Sequence, residues 1–433
     1  MTQLLSIAVA ITAGLMMTRV VKLTKLHFPD VTAYLVAGVL IGPYFLGRLG
    51  IDGLGFASYE SVESLSMISS VALGFIAFTI GNEFRLKQLR STGKQAIVVG
   101  IMEAGFAAVL VDALLIGLHF VLGDTLSIPV AITLGAIAAA TAPAATLMVV
   151  RQYKAKGPVT ELLLQIVALD DAIGLIIFAV SFGVAQALKG GEIDIISVFV
   201  NPILEIVLSL LLGSILGAVL TFLEKYFYSN SNRLSLTIAF VFLTVAVSMQ
   251  EFQIGLVTIS FSSLLVCMML GMVFCNLCPL SSDLMERADR WTAPLFCLFF
   301  VLSGAELELS VFKNPAVIGI GVVYILTRSF GKYLGAFSGS RVMKCEPSVQ
   351  KYLGITLLPQ AGVALGMCIV ASSLGDYEGE LIRNIVLFGV LVYELIGPMT
   401  TKIALTKAGE IQPKGEEVIH RRENKLRSLK EST

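Results

Sequence analysis

Long apolar stretches recur from the first residues of the chain to Leu405, and no other feature constrains the fold as tightly. Each is of the order of 18 to 30 residues, enough for a helix to cross a hydrocarbon layer about 30 Å thick. Only helices or closed barrels satisfy every backbone group in lipid, and continuous apolar runs specify helices. Composition agrees: of 433 residues, 56% are hydrophobic and 14% charged, and the mean hydropathy is +0.86. A soluble domain is excluded, and the runs far outnumber what one signal peptide would supply.

The pattern predicts an all-α polytopic membrane protein of about thirteen transmembrane helices. They fall at 3–21, 31–46, 61–80, 95–122, 128–150, 159–188 and 198–223, then at 234–249, 254–277, 291–305, 316–340, 349–374 and 381–405. Connections carry seventeen Lys and Arg after odd-numbered helices but only Arg48, Lys189, Lys313 and Arg383 after even-numbered ones. The positive-inside rule then puts the N-terminus outside and the C-terminal tail inside. The three histidines, His27, His119 and His420, lie at helix ends or in the tail. Cys275-x-x-Cys278 lacks the second pair or neighbouring histidine that a metal site needs. Cofactors and nucleic acid are not expected.

An odd count permits an inverted repeat, six helices, one linker and six more in opposite orientation, as secondary transporters commonly have. Residues 198–223 are then the linker helix. The fifth helix holds Ala140-Thr141-Ala142-Pro143, and its counterpart, the twelfth, holds Leu358-Pro359-Gln360. A proline near mid-depth removes a donor and clashes with the preceding turn, so both helices should kink or unwind. Irregular backbone at that depth is tolerated where it is buried or lines a cavity, and two interrupted helices in matching positions mark a binding site.

Charge inside the membrane is confined to a few helices. Asp170 and Asp171 are adjacent in a run that has no other charge between Glu161 and Lys189. Carboxylates at mid-depth mark an ion or proton pathway by default. In the eleventh helix Arg328 and Lys332 are four apart and share a face, as do Gly331 and Gly335, a spacing that lets a neighbouring helix approach closely. Their candidate partners are Asp170, Asp171, Glu394, Glu103 and Asp112; Glu205 in the seventh helix stands apart. The charges segregate into 95–188 and 316–405, a polar core from the two repeats, while 1–80 and 234–305 read as an apolar support and 406–433 as a cytoplasmic tail.

These elements resemble the monovalent cation:proton antiporters of the sodium/hydrogen exchanger family, in the branch with two adjacent aspartates. The resemblance runs along nearly the whole membrane part. It includes the opening Phe28-Pro29-Asp30 to Gly42-Pro43, Gly81-Asn82-Glu83-Phe84, Leu169-Asp170-Asp171, and Gly331-Lys332-x-x-Gly335. It implies that Asp171 is the main cation carboxylate, that Asp170 pairs with Lys332, with Arg328 the other candidate, and that Thr141 lies beside the ion. It also implies crossed broken helices, a dimerisation panel and a homodimer in a prokaryotic inner membrane. Many electroneutral relatives carry Asn-Asp with a glutamate one turn earlier; here Asp170 replaces the asparagine, and Gln165 or Ile166 stands where that acid would be. Some relatives have an acid where this chain has Ala142. The regulatory nucleotide-binding domain of some potassium-releasing relatives is not found after Leu405.

The expected activity is exchange of Na⁺, or Li⁺, for protons by alternating access, with movement of net charge. A K⁺/H⁺ antiporter and a sodium-coupled symporter are the alternatives. An aspartyl protease would need its two acids facing each other, whereas neighbours on one helix diverge by about 100°. A passive channel needs rings of ligands that one asymmetric chain does not offer. The chain reads as a transporter, not an enzyme.

Overall fold

The computed structural model describes residues 3–23, 28–50, 54–83, 86–189, 200–250, 252–254, 257–307 and 315–411. His27, Lys25, Phe84, Arg85, Lys313, His420 and the tail beyond 411 lie outside the described residues.

The apolar runs fold chiefly as helices, the fifth and the twelfth each as a broken pair. In chain order these are α1 (Gln3–Leu23), α2 (Asp30–Ile41), α3 (Tyr59–Glu63), α4 (Ser66–Glu83), α5 (Leu86–Leu122), α6 (Ile128–Ala138), α7 (Pro143–Gln152) and α8 (Pro158–Leu188). There follow α9 (Asn201–Glu224), α10 (Asn230–Ser248), α11 (Ser263–Leu277), α12 (Ser281–Glu306), α13 (Pro315–Val342), α14 (Pro347–Thr356), α15 (Gly362–Ala371) and α16 (Asp376–Lys407). Among the described residues, nine stretches are long and apolar enough to cross a bilayer, and Ser66–Asn82, Ser263–Leu277 and Val363–Leu374 are shorter apolar helices. Proline opens α7, α8 and α14, where a missing N–H has no intrahelical partner to lose.

Several boundaries correct the sequence reading: the third helix is split into α3 and α4, the fourth starts at Leu86 rather than 95, and the tenth at Ser281 rather than 291. The second helix stops at Ile41 rather than 46, because Gly42 leaves the helix in extended conformation ahead of Pro43. The ninth starts at Ser263 rather than 254. Phe252–Ile254 (β1) and Val257–Ile259 (β2) pair as antiparallel strands instead, and the Ser262 hydroxyl accepts the Leu265 N–H at the helix start. β-Branched Ile254, Val257, Thr258 and Ile259 suit a strand, and apolar content alone cannot separate strand from helix over so short a run.

The helices follow an inverted arrangement. A long helix, a broken pair and another long helix (α5, α6–α7, α8) recur as α13, α14–α15, α16. Glycines make the close crossings. A methyl on Gly38 of α2 would fall 2.0 Å from the Val301 carbonyl oxygen of α12, and one on Gly304 of α12 would fall 2.1 Å from that of Leu35. The same reciprocal approach joins α4 and α11, where a methyl on Gly81 would fall 1.8 Å from the Met268 carbonyl oxygen and one on Gly271 2.1 Å from that of Phe78. Inversion exchanges one crossing for the other. α5 and α13 cross along Gly331, Gly335 and Gly339, which meet the backbone near Ala107, Glu103 and Val99. One apolar cluster joins α2, α4, α10, α11 and α12 and takes in α7 and Ala168 of α8, and another joins α5, α6, α8, α13, α15 and α16.

Candidate ion-binding site

Both broken helices come apart where the prolines stand. α6 ends at Ala138 and α7 begins at Pro143; α14 ends at Thr356 and α15 begins at Gly362. The two irregular segments cross and hold each other. The Ala142 N–H donates to the Pro359 carbonyl at 2.8 Å, and the Gln360 amide to that of Ile137 at 3.0 Å. The Thr141 and Thr146 hydroxyls donate to the Leu357 and Thr356 carbonyls, each at 3.4 Å. Gln360 also donates to the Tyr324 hydroxyl at 2.9 Å.

A helix that ends inside a protein leaves its last carbonyls without partners and a partial negative charge at that end. α13 supplies what these ends lack. Tyr324, Arg328 and Lys332, each four residues on from the last, point one face at the crossing. The Arg328 guanidinium donates to the carbonyls of Ala138 (2.9 Å), Ala140 (2.6 Å) and Leu358 (2.7 Å). It therefore closes the C-terminal ends of α6 and α14 at once, while lying over the Tyr393 ring with 4.5 Å to the centroid. The Lys332 ammonium donates to the Ala139 carbonyl and, at 2.7 Å, to the Thr141 hydroxyl.

Lys332 also meets acids. Its Nζ lies 2.8 Å from Glu103 Oε2 and 3.7 Å from Asp170 Oδ2. The nearer carboxylate is thus Glu103 on α5, which the sequence offers only as one candidate among several. Gly335 lets the two helices close to that range, since a methyl there would sit 2.6 Å from the Glu103 Cα. Glu103, Asp170, Arg328 and Lys332 are wholly buried and Asp171 is 2% exposed. Neither oxygen of Asp171 has a hydrogen-bond partner among the described residues. α8 runs past the first break at this level: a methyl on Gly174, one turn on from the acids, would lie 3.7 Å from the Ala140 Cα.

Other expected members are elsewhere. Asp112 packs against Gly135 of α6, two turns from Glu103. Glu394, on α16, lies one turn from Gly397, which faces Pro359, but forms no ion pair with Arg328 or Lys332 among the described residues. Glu205 is on α9, outside the cluster. Tyr324 and Tyr393 were missed; only the spacing of Tyr324 from Arg328 could have drawn attention to the first.

The profile of the family described as "Sodium/hydrogen exchanger, transmembrane" matches residues 7–407. The Na(+)/H(+) antiporter NhaS4 of Synechocystis is 23% identical over 87% of this chain and 91% of its own length. The high-affinity Na(+)/H(+) antiporter NhaS3 of the same organism is 26% identical over 86% and 84%. The K(+)/H(+) antiporter subunit KhtU of Bacillus subtilis is 23% identical over 87% and 88%. Among solved structures, the sodium proton antiporter MjNhaP1 of Methanocaldococcus jannaschii superposes with a TM-score of 0.67, at 17% identity, over 93% of this chain and 97% of that one. That likeness concerns the fold.

Proposed function

Because this chain belongs to the sodium/hydrogen exchanger family, we propose that it exchanges a monovalent cation, Na⁺ before K⁺, for protons across a cell membrane by alternating access. The observation that carries this reading is Asp171, buried beside the crossed breaks with both oxygens free of hydrogen bonds among the described residues. With Glu103, Asp170, Arg328 and Lys332 it makes a cluster of three acids and two bases, one positive charge short of neutrality when all are ionised. A proton or a monovalent cation supplies that charge, and Asp171 holds one at a time. The competition couples the two fluxes.

A small hard cation takes oxygen ligands. Asp171, the Thr141 hydroxyl and carbonyls of the break are the oxygens at hand. Lys332 already occupies two of them, Thr141 and Ala139, so cation and ammonium contend for the same oxygens. Entry of the cation would loosen Lys332 from Asp170 and Glu103 and release a proton, making transport electrogenic. Glu394 is left as outer support. In this reading there are thirteen crossings, with the N-terminus outside, the tail in the cytoplasm and two copies paired as a homodimer. α5–α8 and α13–α16 rock against α1, α2, α4 and α10–α12, with α9 as the linker and the site near mid-depth.

The test is Na⁺-driven dissipation of a pH gradient by purified protein in liposomes, with no organic solute present. Asp171→Asn is expected to abolish exchange while the protein stays monodisperse. Normal exchange by that variant would sink the assignment, and a stronger response to K⁺ than to Na⁺ would reverse the choice of ion.

A further inference from the structure

The last described residues return to the start of the helix that carries both aspartates. α16 ends in a Schellman turn. Gly409 takes the left-handed φ of 78°, its N–H donates to the Thr406 carbonyl at 3.1 Å, and the Glu410 N–H donates to that of Leu405 at 3.0 Å. The turn delivers Glu410 onto the first turn of α8. Its carboxylate accepts the N–H groups of Val159 at 2.7 Å and Thr160 at 2.8 Å, and the Thr160 hydroxyl at 2.6 Å. Its carbonyl accepts the Lys156 N–H at 3.1 Å. Ile411 joins the apolar cluster that holds Val159, Leu162, Leu163 and Ile166 of α8.

α8 has no cap of its own. The residue at its N-cap is Gly157, with no side-chain oxygen and a φ of 154°. A methyl there would lie 2.5 Å from the Glu410 Cδ, so a side chain would displace the glutamate. An ordinary cap is local and satisfies one or two first-turn amides; here both are satisfied from 250 residues further along the chain. The anion also complements the positive end of the helix.

We propose that Glu410 is a positioning residue for exchange. It locks the first turn of α8, from the first repeat, to the end of α16, from the second, so that both halves of the core swing as one body. The proposal rests on the exchange reading above. Asp171 lies eleven residues beyond Thr160, about 16 Å along a rigid helix, so the clasp sets the pose of that helix and touches no transported ion.

Full-length Glu410→Ala, Glu410→Gln and Thr160→Val, purified as monodisperse protein, decide it with two readouts: amide hydrogen exchange over 158–163, and exchange rate against Na⁺ concentration in liposomes. Glu410→Ala should open the Val159 and Thr160 amides and lower the maximal rate by about fivefold, with half-saturation by Na⁺ moved less than about twofold. Glu410→Gln should fall between, since its amide oxygen replaces one acceptor and its NH₂ opposes the other donor. Thr160→Val, which loses one bond of three, should show the least. Glu410→Gln fills the same space and carries the test should the alanine variant not assemble. Opened amides with an undiminished maximal rate would make Glu410 a cap and nothing more, and overturn the proposal. Amides that stay closed would overturn the clasp itself. If the unsubstituted protein shows no cation-driven exchange while Glu410→Ala still opens these amides, the exchange reading fails, the positioning role with it, and the contact stands.

Discussion

Two kinds of crossing hold this molecule together, and both are built from glycine. Where α2 meets α12 and α4 meets α11, carbonyl oxygens stand within 2.1 Å of where a methyl on the facing glycine would be, amid Leu35, Phe78 and Val301. Where α5 meets α13, the same device brings a backbone carrying Glu103 against a backbone carrying Lys332, and the pair closes to 2.8 Å. In lipid, helices gain little from hydrophobic burial against one another, so close backbone packing is itself adhesive. The first two crossings use it for adhesion. The third uses it to place charge, which is why intramembrane ions gather on one side of the molecule.

The comparison breaks most visibly at an apolar crossing. Gly304→Val would drive a branched side chain into the backbone of α2, where no flexible side chain is available to yield. Overpacking commonly costs about 1–3 kcal/mol, and more where backbone must move. The expected result is loss of monodisperse protein on size-exclusion chromatography, before any question of transport. Full yield with an unchanged melting temperature would show that α2 and α12 do not approach as described.

At the charged crossing the expected loss is smaller and of another kind. Lys332→Gln leaves Glu103 and Asp170 buried without their base, and breaking a buried pair costs about 3–5 kcal/mol. Thermal unfolding in detergent should register most of that. Adding Glu103→Gln should restore part of it, a coupling that a double-mutant cycle isolates. A cycle with Asp170→Asn that gives the larger coupling would make the aspartate the principal partner despite its greater distance. The flux assay should show altered charge coupling for Lys332→Gln alone.

This crossing also marks how far the sequence could be read. Apolar runs gave the helices, because in lipid a helix depends on its own backbone bonds and little else. The site resisted in proportion to its dependence on packing. Asp170 and Asp171 announce themselves as neighbours in an uncharged run. Which acid Lys332 lies nearest depends on how closely α13 approaches α5, and that follows from Gly335 and its register against Glu103. Asp112 and Glu394 are equally conspicuous in the sequence yet stay outside the cluster. Proline alone was an incomplete signal too. Pro294 and Pro398 lie inside continuous α12 and α16, while Pro143 and Pro359 stand at true breaks. The difference is what receives the freed carbonyls, and only at the breaks do two cations of α13 reach them. Glu410 gave no local sign, because its partners lie 250 residues earlier.

The two bases sharpen the contrast within the charged crossing itself. Lys332 is divided between carboxylates and break oxygens, whereas among the described residues the hydrogen bonds of Arg328 run to the carbonyls of Ala138, Ala140 and Leu358. Three carbonyls on two helix ends need a planar group with spread donors, which a guanidinium has and an ammonium lacks. Arg328→Lys keeps the charge but cannot span both ends. It should forfeit at least one charged hydrogen bond, about 1.5–3 kcal/mol. The cation carboxylate remains, so Na⁺ should still elicit exchange, at a lower maximal rate and with a lower melting temperature. Should the lysine variant match the parent in both, the joining of the two breaks through Arg328 would carry no energetic weight, and the contacts among Ala142, Pro359 and Gln360 would have to hold the crossing unaided.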